Sequence, residues 1–165
     1  MNLLNKIRNA FLKIKYYSIF DFIDALGAFI NIRYLLYRQR FFGRYIIRNA
    51  KNIDIGLFVK AYNNFFVEAH GKAIIKIGDR CIFNRNAYIT SFEQIVIESD
   101  CLFGPNLFIG DHEHGTYSGE FQSDPAEYPV KRPIQAEEIH IGSNVWVGAN
   151  VTITKGVKIG FGSII

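Results

Sequence analysis

An apolar residue returns at every sixth position near the end of this chain: Ile141, Val147, Ile153, Ile159 and Ile165. Glycine directly follows three of them, at Gly142, Gly148 and Gly160. No single regular element has that period. A helix brings apolar residues back every three or four positions and a strand every second one, so a period of six requires a composite unit. A short strand plus a tight turn fits. Three such units close one triangular coil, and coils stack at the spacing of paired strands, roughly 4.8 Å. The fold class is therefore mainly β, a parallel β-helix of hexapeptide repeats. The first residue of each hexad points inward, and the fifth (Val145, Val151, Val157, Ser163) is a second inward position near the corner. Glycine after the first residue suits a turn that needs positive φ or a close backbone approach.

The same phase runs back through the chain. Ile55, Ala61, Val67 and Ala73 give a degenerate first coil, with Asn63, Asn64 and Gly71 as turn residues. Ile77, Phe83, Ile89 and Ile95 repeat cleanly, the phase slips by two, and Ile97, Phe103 and Ile109 resume. A slip of two preserves side-chain alternation, so the inside stays inside. Cys81 and Cys101 fall at the fifth hexad position on neighbouring rungs. They read as small buried apolar residues of a reducing compartment and not as a disulfide. After Ile109 the repeat stops, and a protruding loop over 111–138 holds three of the four prolines and two of the four histidines. A loop this long in a repeat protein is a usual seat of function.

Charge divides the chain in the same way. Residues 1–50 hold nine Lys and Arg against two Asp, net +7, and the remainder holds ten against thirteen acidic residues, net −3. Two domains are expected: a basic amphipathic helical segment over 1–45 and a β-helix over 46–165. In residues 3–15, Leu3, Ile7, Ala10, Phe11 and Ile14 share one helical face, flanked by Lys6, Arg8, Lys13 and Lys15. Two uses of that stripe are open: peripheral contact with an anionic membrane surface through residues 1–18, or a cap packed on the first coil. Residues 19–38 read as a second helix, with aspartates near its start and arginines near its end as the helix dipole favours. The longest apolar run of the head, residues 25–30, is far short of the ~20 residues that cross a bilayer. A cytoplasmic location, peripheral at the inner membrane surface if residues 1–18 take the membrane role, and no nucleic-acid partner are expected.

Residues 111–115, Asp-His-Glu-His-Gly, carry the candidate chemistry. His112 and His114 stand where the last regular rung opens into the loop, and imidazole titrates near neutrality, so a positioned histidine can take a proton from a hydroxyl. A His-x-His pair on extended backbone also has metal-ligand spacing. The other histidines, His70 and His140, form no recognisable cluster with it, and no metal is expected.

The hexad array, the segment from Gly104 to Gly115, the proline-bearing loop ending at Arg132-Pro133-Ile134 and the closing run of hexads together resemble the left-handed parallel β-helix O-acetyltransferases. Within that family the chain is most similar to bacterial enzymes that acetylate sugars of O-antigen and capsular polysaccharide. The left hand of the coil comes from the resemblance, since parallel crossovers are ordinarily right-handed. The resemblance implies an acetyl-CoA-dependent transfer to a sugar hydroxyl, with acetyl-CoA as co-substrate, His112 as general base and no covalent acyl-enzyme. It implies that the amide of Ala149, after Trp146 and Gly148, lies against the acyl group, and that Trp146 packs beside the pantetheine arm; Trp146 also reads as a corner residue covering a rung. It implies acceptor binding by Asn86, which equally reads as a turn residue, and by His114, which otherwise holds the loop. It implies a homotrimer with active sites between neighbouring coils. Enzymes of this kind continue for a further coil beyond the point matching Ile165, so a C-terminal coil is expected to be missing here. The alternatives are acetylation of an amino sugar or other small acceptor, and a catalytically incomplete β-helix scaffold. Serine acetyltransferases carry a much larger helical domain than this head, and β-helix carbonic anhydrases need a three-histidine spacing that this chain lacks.

Overall fold

A computed structural model describes residues 39–165. The helices expected at 3–15 and 19–38, and the membrane contact through 1–18, lie outside the described residues. The chain winds as a solenoid, placing one short strand on each of three parallel sheets in every coil. The first coil comprises β1 (Gln39–Phe41), β2 (Tyr45–Arg48) and β3 (Ile53–Ile55). The second comprises β4 (Val59–Ala61), β5 (Phe65–Ala69) and β6 (Ile74–Ile77), and the third β7 (Ile82–Phe83), β8 (Ala87–Ser91) and β9 (Gln94–Ile97). β10 (Leu102–Phe103) and β11 (Leu107–Gly110) open the fourth coil. There β12 (His112–His114) and β13 (Ile134–Ala136) leave the stack as an antiparallel pair before β14 (Ile139–Ile141) completes the turn. The fifth is β15 (Trp146–Val147), β16 (Thr152–Thr154) and β17 (Lys158–Ile159), and a bridge from Trp146 to Ile164 starts a sixth.

Sheet I is β1-β4-β7-β10-β15, sheet II is β2-β5-β8-β11-β16 and sheet III is β3-β6-β9-β14-β17. The first hexad positions become three vertical columns of the core. Ala61, Phe83, Phe103 and Val147 stack on sheet I, Val67, Ile89, Ile109 and Ile153 on sheet II, and Ile77, Ile97, Ile141 and Ile159 on sheet III, all buried. Rings of Phe83 and Phe103 lie parallel with centroids 4.6 Å apart, close to the strand spacing, so the repeat itself imposes the stacking. The slip of two is explained by β9, which carries two inward residues, Ile95 and Ile97, in register with Ile75 and Ile77 below and Ile139 and Ile141 above.

Two features differ from the sequence expectation. The first coil begins at Gln39, inside the segment assigned to the helical head, because Phe41 already packs on Phe65 with ring centroids 5.6 Å apart. Left-handed backbone falls on the fourth hexad position and not on the glycine of the second: Asn64, Arg80, Asn86, Asp100, Asn106, Asn144 and Asn150 all have φ between 57° and 65°. Asparagine tolerates that region better than other side chains, which is why it recurs there. Gly142 serves close approach instead, since a Cβ on it would lie 2.9 Å from the amide nitrogen of Phe161. Cys81 and Cys101 are buried, free and stacked on neighbouring rungs, as expected.

Candidate active site

The corner between sheets II and III is where the repeat is broken. β11 ends at Gly110, Asp111 makes the corner, and β12 departs to pair with β13, His112 opposite Ala136 and His114 opposite Ile134. Asp111 is fully buried. Its carboxylate accepts hydrogen bonds from Ser91 Oγ at 2.6 Å and from the amides of Phe92 and Glu93 at 2.7 and 3.0 Å, so it ties the fourth coil to the corner of the third. Charge-assisted bonds of this kind are what make a buried carboxylate tolerable.

His112 leans on that carboxylate. Its side chain is 14% exposed, and Nδ1 lies 3.6 Å from Asp111 Oδ1, inside ion-pair range and too long for a hydrogen bond. Nδ1 is buried and has no hydrogen-bond partner among the described residues. Its imidazole packs on Phe92 at 4.2 Å, and Phe92 stacks on His70 at 4.1 Å and 13°, giving a column of three rings over three coils. His70 Nε2 in turn faces Glu68 Oε1 at 3.8 Å. Burial pushes the pKa of His112 below the ordinary histidine value, Asp111 pulls it back up, and His70 adds to the depression. The result favours neutral imidazole near pH 7, the form that accepts a proton.

His114 is exposed, with its ring centroid 6.4 Å from that of His112. Its carbonyl accepts the Tyr117 hydroxyl, and Arg132 Nη1 donates to the same hydroxyl at 2.9 Å. Arg132 also donates to the carbonyls of Pro125 and Glu127, so one guanidinium gathers the inserted loop. The described contact of His114 with the loop is thus made through its backbone.

The other expected site residues lie elsewhere. Asn86 stands at the corner between sheets I and II in a ladder of amides: Asn64 Nδ2 donates to Asn86 Oδ1 at 2.9 Å, Asn86 to Asn106 at 2.8 Å, and Asn106 to Asn150 at 2.8 Å. Trp146 is half-exposed on sheet I, and Gly148 abuts Gly104 so closely that a Cβ on Gly104 would lie 2.5 Å from the Gly148 carbonyl. Ala149 is exposed beside that corner, and its amide makes no hydrogen bond among the described residues. One chain therefore brings His112 and His114 together at one corner, and Asn86, Gly148 and Ala149 at another. Asp111, Phe92 and His70 were missed from the sequence. The signal was available: counting back one coil from His112 reaches Phe92, and one more reaches His70.

The chain is 32% identical over 120 residues to WbbJ of Escherichia coli, provisionally named a lipopolysaccharide biosynthesis O-acetyl transferase; the match covers 72% of this chain and 61% of that protein. It is 30% identical over 101 residues to a galactoside O-acetyltransferase of Lactococcus lactis, covering 61% of this chain and 44% of the relative. A Mycobacterium tuberculosis protein named as an acetyltransferase is 25% identical over 114 residues, covering 68% of this chain and 35% of its own length. This chain spans less than two thirds of the length of each. No family model and no solved structure matches it. The stacked-coil fold and these relatives together bear out the resemblance to hexapeptide-repeat acetyltransferases.

Proposed function

We propose that this chain is an acetyl-CoA-dependent O-acetyltransferase acting on a sugar hydroxyl in the biosynthesis of a surface polysaccharide such as O-antigen or capsule. The observation that carries this reading is His112, a depressed-pKa histidine seated on a buried carboxylate at the point where the coil opens. With Nδ1 turned to Asp111, Nε2 is the nitrogen left to take the acceptor proton. The hydroxyl oxygen then attacks the thioester carbonyl, the new C–O bond forms, the C–S bond breaks, and the proton held by His112 passes to the departing thiolate. The free amide of Ala149 supplies a donor for the carbonyl oxygen as it gains charge. Acetyl-CoA is the co-substrate, and Trp146 and Gly148 flank its arm.

The separation of the two sets of residues onto different corners supports a homotrimer, in which the His112 corner of one subunit faces the Ala149 corner of the next. The names of the relatives support a sugar acceptor: one concerns lipopolysaccharide and another a galactoside. Among the described residues no helix is long and apolar enough to cross a membrane. The basic residues 1–18 fit contact with an anionic inner-membrane surface, where lipid-linked sugars are handled.

The test is release of CoA thiol from acetyl-CoA with a panel of sugar acceptors, run on the wild-type chain and on His112→Ala. Turnover that depends on acceptor and vanishes in the variant is expected. Undiminished turnover in His112→Ala overturns the assignment of the base.

A further inference from the structure

The outer face of sheet II carries a groove that the chemistry above does not use. It is an open depression of about 660 Å³ across β2, β5 and β8, lined among others by Arg44, Arg48, Asn64, Phe66, Asn86 and Tyr88. Strand alternation and register place Ile46, Phe66, Tyr88 and Phe108 in one outward column. Phe66 and Tyr88 meet edge to face at 6.2 Å, and Tyr88 and Phe108 at 5.8 Å. Two residues along the same strand from Phe108, Gly110 has no side chain, and the Phe108 ring leans over it, 2.7 Å from where a Cβ would stand. The aromatic row therefore climbs the sheet toward Asp111 and His112.

Charge is placed at the foot of the row. Arg48 is held by Glu68 at 3.2 Å, and Glu68 also accepts the Tyr88 hydroxyl at 3.3 Å. Arg44 differs. Its guanidinium lies 5.8 Å from the centroid of Phe66, and among the described residues no carboxylate neutralises it. An aromatic row takes the apolar face of a pyranose ring, and an uncompensated guanidinium takes a phosphate in a two-point hydrogen bond. From the first coil, which holds Arg44, to the fourth, which holds His112, is three strand spacings, roughly 14 Å along the coil axis, and the two residues stand at opposite ends of the sheet II strands, so the full separation is longer. That reach suits an acceptor whose anionic end lies well away from the hydroxyl that reacts.

We propose that the sheet II groove binds the acceptor as a phosphorylated glycoside, with Arg44 on the phosphate, Phe66 and Tyr88 against the sugar, and the reactive hydroxyl directed up the sheet toward His112. This assignment rests on the acyl-transfer reading above. Glycosyl phosphate is common to nucleotide-linked and lipid-linked sugars, and the choice of probe separates them.

Calorimetry on the full chain without acetyl-CoA would use inorganic pyrophosphate, uridine diphosphate glucose, glucose diphosphate on a short citronellyl chain, and neutral methyl glucoside. The phosphorylated probes bind and the neutral glycoside does not; the tighter of the two glycosyl diphosphates identifies the source. Arg44→Gln weakens phosphorylated probes about tenfold or more with an unchanged melting midpoint, and Arg44→Lys recovers part of the loss. Failure of the phosphorylated probes to bind overturns the proposal, as does equal binding by wild type and Arg44→Gln. It is also overturned if Arg44→Gln weakens acetyl-CoA instead, which would make the groove part of the donor site. The two readings fail separately. Undiminished turnover in His112→Ala defeats the base assignment and leaves Arg44-dependent binding untouched, whereas His112-dependent turnover without Arg44-dependent binding defeats only the groove.

Discussion

Two corners of the same coil are built on opposite terms. Between sheets I and II, Asn64, Asn86, Asn106 and Asn150 stack in register, each amide bonded to the next and each backbone in the left-handed region. Between sheets II and III, the repeat gives way to Asp111, a ring column and an insertion, and a buried histidine nitrogen has no hydrogen-bond partner among the described residues. At the first corner the asparagine side chains are paired and periodic; at the second a buried imidazole nitrogen faces a carboxylate at ion-pair distance, beyond hydrogen-bond reach. The Asp111 carboxylate faces the ring from the Nδ1 side, which leaves Nε2 as the nitrogen able to exchange a proton.

The comparison is broken most severely at His112. If the irregular corner is the reactive one, His112→Ala reduces acetyl transfer by about 10²–10⁴-fold, the usual contribution of a general base, while the melting midpoint stays near that of the wild type. A large loss of stability with it would make the corner structural. Phe83→Ala removes the middle of the Phe65, Phe83 and Phe103 stack in the single buried core of the coil. It should cost about 3–5 kcal/mol by chemical denaturation, with both corners loosening together in hydrogen exchange. Protection lost at only one corner would show that they unfold independently.

Asn106→Ala tests the periodic corner. The left-handed backbone alone costs a side chain with no local polar group about 1–2 kcal/mol, and the ladder is cut in its middle. Asn106→Gly should recover the backbone part, and recovery of nothing would assign the whole effect to the amides. Asp111→Asn sharpens the irregular corner through pH. The base works only when neutral, so rate falls as pH drops through the pKa of His112. Burial already lowers that pKa, and the Asp111 charge opposes the shift. Removing the charge lowers it further, so the acidic limb of the pH–rate profile moves to lower pH; an unmoved limb would show that the carboxylate is not felt by the ring. The smallest effect belongs to the exposed Arg80–Asp100 pair, 2.6 Å apart but in water on both sides. Arg80→Ala should leave the melting midpoint where it is, and a clear drop would mean that corner pairs contribute more than their exposure allows.

Much of this was legible along the chain because the repeat copies one physical constraint many times. Ile77, Phe83, Ile89, Ile97, Phe103 and Ile109 were placed inside on period alone, and each is buried. The glycines are legible only in part. Close approach and positive φ both suit glycine, and only the backbone shows that Asn86 and its stacked neighbours take the second task. Asn86 is a turn residue by geometry, and whatever it does for an acceptor it does from within a ladder. His112 was legible as a histidine leaving a rung, whereas Asp111 looked like one more polar loop residue until the coil below was seen to present Ser91 and the Phe92 and Glu93 amides to it.

The sequence by itself determined a coil of hexads, its interior residues, the place of its interruption and a basic head distinct from an acidic body. These follow from periodicity and composition, which are properties of neighbours along the chain. The tertiary structure alone decided which corner each polar residue occupies. It turned Asp111 inward beneath His112, stacked His70 and Phe92 under the same ring, set Ala149 at a different corner, and placed Arg44 over the aromatic row of sheet II with no carboxylate partner among the described residues. Those relations join residues a whole coil or more apart, and they exist only when strand register brings successive coils into contact.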